Sequence, residues 1–291
     1  MFGGNGKQPV MAAVGMFDGV HRGHAFLLHT LAYEAVRAGM RPLAITFARH
    51  PQSILRPEGA PGLLGGVEQR CRYIKDTFCI DTAVLNFDAD GLKMTASEFL
   101  EILSRDYGVK VLLMGYDNHI GSDRRTAADL AGAAIPVLSA PPCPEIAVSS
   151  SAIRDAISLG EIKKANNLLG HNFSVAGTVV GGRRVGRTIG FPTANIEPSE
   201  PAQLLPADGV YAVDVLLDGH RMRGMANIGK RPTVGGDERT FEVNIFDFDG
   251  NLYGRTLDVE IIARLRDERH FDTLHALSAQ LSADRDAARK V

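Results

Sequence analysis

The sequence predicts an α/β protein of two domains, a doubly wound domain with a parallel sheet followed by a smaller β-rich domain. Its 291 residues fit two typical domains of roughly 100–200 residues each. The first half alternates strand-like and helix-like segments, which favours parallel strands joined by right-handed crossovers. Beyond Gly170, short strands and tight-turn signals dominate, which indicates a small barrel or sandwich. We place the boundary there, giving domains 1–170 and 171–291.

The elements of the first half follow from apolar spacing and from capping patterns. Leucines three and four positions apart predict a helix over 25–38 that ends at Gly39. Thr95 and Glu98 form the T-x-x-E pattern of a capping box, which opens another helix. In chain order the predicted elements are strand 10–14, helix 25–38, strand 43–47, loop 50–66, helix 67–78, strand 82–87, helix 95–108, strand 109–114 and strand 135–139.

The second half opens with two helices and then becomes mostly strand. The helices are predicted over 151–159 and 161–169, and a last helix over 271–288 closes the chain. Asp218-Gly219 and Asp249-Gly250 are tight-turn signals, because Asp-Gly suits positive φ. The predicted strands are 175–180, 209–217, 222–228, 241–246 and 257–265.

Composition and charge exclude several classes of protein. The net charge is −2 and neither half has a basic excess, so a nucleic-acid binder is disfavoured. No apolar run approaches the roughly 20 residues of a membrane helix, and the N-terminus lacks a secretory signal. Three cysteines without a C-x-x-C pair suggest neither a disulfide framework nor a zinc site. We therefore expect a soluble, cytoplasmic protein.

A glycine-rich turn between the first strand and the first helix is the first candidate site. The order of strand, turn and helix places free backbone N–H groups and a positive dipole end at one point, which suits phosphate. His21 and His24 share one side of the first helical turn, and Gly23 lets a phosphate approach the backbone. The alternatives are a plain helix start or a stray metal pair. Two histidines alone fall short of a zinc ligand set.

A second candidate phosphate site lies in the β-rich half, where no P-loop pattern occurs. The glycines and arginines of 177–187 can wrap a polyphosphate, although a solvated turn is the simpler interpretation of that loop alone. Thr193 and Asn195 are alternate residues that point to one side of an extended segment. Their hydroxyl and amide oxygens suit Mg²⁺.

A carboxylate in a predicted strand is a candidate general base. Alternation over 241–245 would bury Phe241, Val243 and Ile245 and turn Glu242 and Asn244 to the other face. On pattern alone Glu242 is an exposed strand carboxylate. A positioned glutamate can also accept a hydroxyl proton in phosphoryl transfer.

These motifs together resemble a known family. The string from Gly15 to His24 resembles the signature of nucleotidylyltransferases, and its Phe-Asp-Gly-Val form is similar to that of bacterial bifunctional riboflavin kinase/FMN adenylyltransferases. The string Gly-Phe-Pro-Thr-Ala-Asn over 190–195 resembles the hallmark of riboflavin kinases. Further segments that agree in order are 46–51, 115–124, 148–154, 227–233, 249–254 and 265–268. The resemblance covers nearly the whole chain.

The resemblance implies a Rossmann-like nucleotidylyltransferase domain followed by an antiparallel β-barrel with a C-terminal helix. It implies phosphorylation of riboflavin to FMN by ATP in the barrel and adenylylation of FMN to FAD in the first domain. Catalytic roles fall on His21, His24 and, as general base, Glu242. In the first domain the implied ATP-binding residues are Gly15, Phe17, Asp18, Gly23, Asp117, Ser149, Ser150 and Arg154.

In the barrel the resemblance implies two further sets of residues. The ATP-binding set is Gly182, Gly186, Arg187, Thr193 and Asn195, of which Thr193 and Asn195 hold Mg²⁺. The flavin-binding set is Asn227, Arg266, Glu268 and Phe271, although Arg266 and Glu268 are as readily a surface ion pair. Taken alone, Ser149–Ser151 in the first domain favour a helix N-cap over a phosphate site. The implied partners are riboflavin, FMN and ATP, without nucleic acid or membrane; a homo-oligomer is left open.

Some positions depart from the family pattern. Asn118 and Ile120 stand where the family usually has phenylalanine, in a segment that the resemblance assigns to nucleotide and flavin contacts. An enzyme that keeps only the kinase step is therefore one alternative. A flavin- or nucleotide-binding sensor without turnover is another.

Overall fold

The computed structural model of the chain describes residues 8–55, 57–143, 148–182, 186, 189–233 and 236–291. These residues form two compact units. The first consists of 1–61 with 67–148, and the second of 62–66 with 149–291.

The first unit contains a five-stranded parallel sheet in the order β3-β2-β1-β4-β5. The chain fills one side of β1 and then crosses to the other, so the topological switch point lies between β1 and β4. The predicted doubly wound domain is confirmed. Its strands and α-helices are β1 Val10–Val14, α1 Arg22–Arg37, β2 Arg41–Phe47, α2 Pro51–Leu55, α3 Val67–Phe78, β3 Asp81–Leu85, α4 Ala96–Tyr107, β4 Val109–Met114 and β5 Val137–Ser139.

Each face of this sheet buries a separate apolar cluster, because side chains alternate along β1. Met11 and Ala13 pack in one cluster with the leucines of α1. Val10 and Ala12 pack in the other with Phe99 and its neighbours on α4. Burial on both faces explains why the strands read as continuous apolar runs.

Capping residues next to the helices determine where α1 and α4 begin and where α4 ends. The capping box at Thr95 and Glu98 is confirmed, with both reciprocal bonds present, and Gly108 ends α4 in the left-handed region at φ 67°. Helix α1 begins at Arg22, earlier than predicted, because the side chain of His21 caps it.

The second unit contains a closed six-stranded barrel in the order β10-β7-β6-β11-β8-β9, with every neighbouring pair antiparallel. The barrel is therefore confirmed over the sandwich. Its elements are α5 Ser150–Ser158, α6 Ile162–Leu169, β6 Phe173–Val180, β7 Ala194–Pro198, β8 Gly209–Leu217, β9 His220–Thr233, β10 Gly236–Ile245, β11 Thr256–Arg266 and α7 Leu274–Ala288.

One strand and one turn of the barrel differ from the sequence prediction, and a second turn agrees with it. Strand β7 was not predicted, and it carries Asn195. Asp218 and Gly219 form the predicted tight turn, with φ 52° and 79°. The tight turn predicted at Asp249-Gly250 lies in the loop between β10 and β11, and neither residue has the positive φ that the Asp-Gly pattern favours.

The second compact unit begins at Ser149 in its main part, while the domain boundary at Gly170 stays a prediction. Helices α5 and α6 pack on each other, and α6 contacts β6 and β11 of the barrel, so both group with the second unit. Gly170 does end α6, with φ 85° as its pattern predicted. It is therefore the end of a helix within the second compact unit.

Candidate active sites

The first candidate site is a strained turn at the carboxyl end of β1. Phe17, Gly19 and Val20 all have positive φ, at 48°, 71° and 39°. For a β-branched residue such as Val20 this is a strained backbone conformation. The chain maintains the turn by burying Phe17 and Asp18, which are 0% and 1% exposed. The turn delivers His21 to the N-cap of α1 beside the switch point.

The imidazoles of His21 and His24 are stacked, with centroids 3.7 Å apart and planes 15° from parallel. His21 Nδ1 accepts the backbone N–H of His24 at 3.4 Å. In neutral His21 the proton is therefore on Nε2, which can donate to a phosphate at this helix N-terminus. The predicted common side of the two rings is confirmed.

His24 is held as a neutral imidazole. Burial, and secondly the neighbouring His21, keep the pKa of His24 well below its usual value. The Phe17 ring meets it edge-on at 5.4 Å. His24 Nδ1 is buried, and no hydrogen-bond partner for it exists in the described part of the chain. A buried polar atom without a partner beside a helix N-terminus is one that a ligand could satisfy.

The sequence assigns no individual role to two residues that support this turn, although Thr46 opens the segment 46–51 that agrees with the family. Thr46 is fully buried at the end of β2, and its hydroxyl donates to the Met16 carbonyl at 2.9 Å. Arg70 on α3 is 2% exposed, and its Nε donates to the Thr46 hydroxyl at 3.1 Å. Arg70 also donates to the carbonyl of Phe47. The signal available in the sequence was Thr46, a polar residue within the apolar pattern of β2.

A cavity of about 370 Å³ opens next to this turn. Gly15, at the end of β1, forms part of its wall, as do the rings of Phe47 and Phe87. The loop after β4 supplies Asn118 and Ile120, the two positions that depart from the family pattern. Asp117 is exposed in the same loop. The cavity is thus apolar at its base and polar where the loop crosses it.

The predicted phosphate-binding residues at 149–154 belong to the second unit. The Ser149 hydroxyl caps α5 by accepting the Ala152 N–H at 3.2 Å, and Ser150 is the first residue of that helix. Arg154 Nε donates to the Gly62 carbonyl at 2.7 Å. The capping interpretation of Ser149 is therefore confirmed, while the ATP assignment of the three residues stays a prediction.

The second candidate site is a row of three polar side chains across the barrel. Glu242 on β10 lies directly opposite Asn195 on β7 and directly opposite Asn227 on β9. Paired residues share a face of the sheet. Phe241 and Val243, on either side of Glu242, are buried as alternation predicted. In this row the predicted base, Glu242, has the predicted phosphate ligand Asn195 on one side and the predicted flavin ligand Asn227 on the other.

The phosphate end of this row is closely packed. The Thr193 hydroxyl donates to Glu242 Oε2 at 3.1 Å. A methyl group at Gly182 would overlap the Asn195 amide, and one at Gly186 would overlap the Phe191 carbonyl. Neighbouring atoms approach both positions so closely that a side chain there would force them to move, which favours glycine. Arg187 lies outside the described residues.

Asn244 is a further residue whose contact the sequence did not reveal. It shares the face of Glu242 but is 6% exposed, and its amide donates to the Pro192 carbonyl at 2.6 Å. This bond fixes the backbone directly before Thr193. Alternation predicted its face but could not identify its partner.

A cavity of about 680 Å³ adjoins Thr193 in the barrel unit. Strand residues Val179 and Val243 form one part of its lining. The loop after β10 forms the rest, including Asp249 and Tyr253. The predicted tight turn at Asp249-Gly250 thus forms part of the wall of this cavity.

The predicted flavin-binding residues fall into two groups. Asn227 and Glu268 meet, with Nδ2 donating to Oε1 at 3.5 Å. Arg266 instead forms a bidentate ion pair with Asp284 of α7, and its guanidinium lies 5.8 Å from the centre of the Phe271 ring. The ion pair anticipated between Arg266 and Glu268 is thus made with Asp284.

Family profiles match both parts of the chain. The riboflavin kinase family profile matches residues 169–291, and the FAD synthetase profile matches 5–138. The bifunctional riboflavin kinase/FMN adenylyltransferase of Escherichia coli K12 is 35% identical over 98% of this chain and 93% of its own length. That of Bacillus subtilis is 31% identical over 95% of this chain and 90% of its own length.

A solved structure named as a macrolide-efflux protein from Streptococcus pneumoniae has 35% identity and a TM-score of 0.88, covering 98% of this chain and 95% of that one. Among the residues described here, no helix has both the length and the apolar character needed to cross a membrane. Both curated relatives, by contrast, carry the name of one bifunctional enzyme. The chain belongs to the family of bifunctional riboflavin kinase/FMN adenylyltransferases.

Proposed function

We propose that this chain phosphorylates riboflavin with ATP to give FMN and then transfers AMP from a second ATP to FMN, giving FAD and pyrophosphate. The observation that carries the proposal is that each compact unit has a phosphate-type site beside its own cavity. We assign adenylyl transfer to residues 1–170 and the kinase step to 171–291, in agreement with the two matching profiles.

In the kinase step Glu242 accepts the proton of the ribityl 5′-hydroxyl as that oxygen attacks the γ-phosphorus of ATP, and ADP leaves. Glu242 suits this role because Thr193 and Asn195 flank it on the phosphate side and Asn227 on the other. Thr193 and Asn195 would orient the phosphate oxygens. Phosphoryl transfer depends mainly on such alignment and charge stabilisation. The cavity of about 680 Å³ is large enough for a nucleotide.

Mg²⁺ fits the donors at this site. Within the described ranges, no three His, Cys, Asp or Glu side chains could hold a metal ion by themselves. The Thr193 hydroxyl and the Asn195 amide oxygen are instead neutral, hard donors beside the Glu242 carboxylate. Mg²⁺ is commonly held by few protein ligands together with substrate phosphates. Bound with ATP, it would neutralise charge on the phosphate oxygens.

In the adenylyl step an oxygen of the FMN phosphate attacks the α-phosphorus of ATP, and pyrophosphate leaves. No protein nucleophile is needed. The N-terminus of α1 and the Nε2–H of His21 would stabilise the charge that develops on the α-phosphate. His24, neutral and stacked on His21, would add a second neutral contact. Gly23, beside the His21 ring, leaves the backbone accessible.

The substrates of this proposal are riboflavin, FMN and ATP. The apolar base of the first cavity, with Phe47 and Phe87, suits a flavin ring. The three cysteines are unpaired, which suits a reducing compartment, and we propose a cytoplasmic location.

A kinase-only enzyme is the second candidate function. It is favoured by one observation, that Asn118 and Ile120 line the first cavity where the family usually places aromatic rings. A sensor without turnover would need neither Glu242 nor two phosphate sites.

One assay distinguishes these functions. The protein is incubated with riboflavin, ATP and Mg²⁺, and the flavins are separated by chromatography. FAD is the expected product. FMN alone would support the kinase-only enzyme, and unchanged riboflavin would contradict both.

A further inference from the structure

The seven residues between β11 and α7, which we call the 267–273 arch, carry two of the predicted flavin-binding side chains. These are Glu268 and Phe271. Most of the arch is exposed, and in the part of the chain that the structure describes it forms no helix or strand. Its conformation therefore depends on contacts at its two ends.

One buried ion pair joins the strand before the arch to the helix after it. Arg266, the last residue of β11, donates through Nε and Nη2 to both carboxylate oxygens of Asp284, at 2.7–3.1 Å. The side chains are 13% and 4% exposed. Gln280 adds a bond to Asp284 Oδ1 at 2.8 Å. A bidentate pair fixes direction as well as distance, so the start of the arch and α7 are held in one geometry.

The same guanidinium also contacts the arch itself. Its Nη1 donates to the Asp267 carbonyl at 2.9 Å, and its plane lies over the Phe271 ring at 5.8 Å. Farther along, Glu268 Oε1 accepts from Asn227 at 3.5 Å, next to Gly229, where a methyl group would overlap the carboxylate. Arg266 thus contacts the backbone of Asp267 and the ring of Phe271, and Glu268, the residue after Asp267, meets Asn227 in the row at Glu242.

We propose that Arg266 and Asp284 are a positioning pair for the flavin, and that Arg266 acts through Phe271 and Glu268 rather than by touching the ring. The inference rests on the proposed kinase function. Every nitrogen of the Arg266 guanidinium donates to a protein acceptor, its side chain is 13% exposed, and two of its contacts are with the arch, so we expect the pair to affect flavin binding through the arch. The Asp284 side chain is 4% exposed, and acidic side chains are seldom so buried unless they are paired, as Asp284 is with Arg266.

The test compares Asp284→Asn with Asp286→Asn on the same helix, where the carboxylate is 67% exposed. We expect Asp284→Asn to raise the KM for riboflavin roughly tenfold or more, because small misplacements at a site are costly. Its KM for ATP in the kinase step and its conversion of added FMN to FAD should stay within about twofold of wild type. Asp286→Asn should match wild type throughout.

A purely structural role predicts a different result. It would lower every rate in proportion to the folded fraction, measured by circular dichroism, and would leave the riboflavin KM unchanged. An unchanged riboflavin KM in folded Asp284→Asn would overturn the proposal. If the wild type itself makes no FMN, the proposed function fails instead, so the two failures are distinguishable.

A second pair of variants tests whether Arg266 touches the flavin directly. Arg266→Ala and Asp284→Asn should raise the riboflavin KM to a similar degree, and the double variant should be no worse than either single one. A direct ligand would make Arg266→Ala far worse than Asp284→Asn, which would contradict the proposal. If Asp284→Asn does not fold, Arg266→Lys removes the fork but keeps the charge, and the same rise in KM is expected.

Discussion

Glu242 lies directly opposite Asn195 in the antiparallel pair of β10 and β7, so the two side chains share one face of the barrel. This relationship places the proposed base beside the proposed phosphate ligand through strand register alone. A one-residue shift in the register between β10 and β7 would turn one of these two side chains to the other face of the sheet.

Replacing the proposed base should abolish the kinase step selectively. Glu242→Gln keeps the shape but cannot accept a proton, and we expect kcat for FMN formation to fall about 10²–10⁴-fold. Steady-state assays with riboflavin measure it. Glu197→Gln, an exposed carboxylate on β7, is the control and should leave kcat unchanged. A kcat within a fewfold of wild type in Glu242→Gln would remove Glu242 from the chemistry.

The support of the histidine turn should be needed for FAD formation. Thr46→Val preserves size but removes the bond to Met16 and leaves Arg70 without one buried acceptor. We expect destabilisation of about 1–3 kcal/mol and a lower rate of FAD formation from FMN, with FMN formation unaffected. Urea unfolding and the two rate assays measure these effects.

The matched control is Thr30→Val, whose hydroxyl also bonds a backbone carbonyl, but within α1. It should leave FAD formation near the wild-type rate. Equal losses in the two variants would mean that the Thr46 contact has no specific role.

Burial of His24 should make the protein less stable in acid. Its folded pKa lies below the unfolded value of about 6.5. Below pH 6.5 the unfolded chain therefore binds a proton that the folded chain does not, and stability falls as pH falls. His24→Gln should lose less of its thermal stability between pH 7.5 and 5.5 than wild type. The control His29→Gln, an exposed position on α1, should follow wild type. Parallel curves for His24→Gln and wild type would contradict the prediction.

The first cavity offers a test of the adenylyl substrate site. Ile120→Phe introduces the ring that the family usually carries there, and one aromatic contact is worth about 0.5–1.5 kcal/mol. We expect the KM for FMN in FAD formation to fall about two- to tenfold, while the KM for riboflavin in the kinase step is unchanged. An unchanged KM for FMN would argue against flavin binding in this cavity.

The sequence predicted the features that depend on neighbours along the chain. The capping box at Thr95, the left-handed Gly108 and the shared side of His21 and His24 are all contacts within about four residues. The alternation that buries Phe241 and exposes Glu242 is equally local. Local spacing is therefore enough to identify these parts of the fold and of the site.

Features that depend on distant partners were not predictable. Strand β7 was missed because it is only five residues long and ends at Pro198, which leaves too short an apolar pattern to recognise. Arg266 resembles a surface cation in sequence, and its partner Asp284 lies 18 residues away on a helix. Thr46 and Arg70 meet across 24 residues. Periodicity assigns faces but does not identify which side chain a buried polar group will meet.

The most direct test of two separable sites in one chain is a product analysis of two variants, His24→Ala and Asn195→Ala. Each is given ATP and Mg²⁺ with riboflavin, and separately with FMN, and the flavins are resolved by chromatography. His24→Ala should form FMN from riboflavin but no FAD from either substrate. Asn195→Ala should form no FMN from riboflavin but should still convert FMN to FAD. Loss of both activities in either folded variant, or normal FMN formation by Asn195→Ala, would contradict the account.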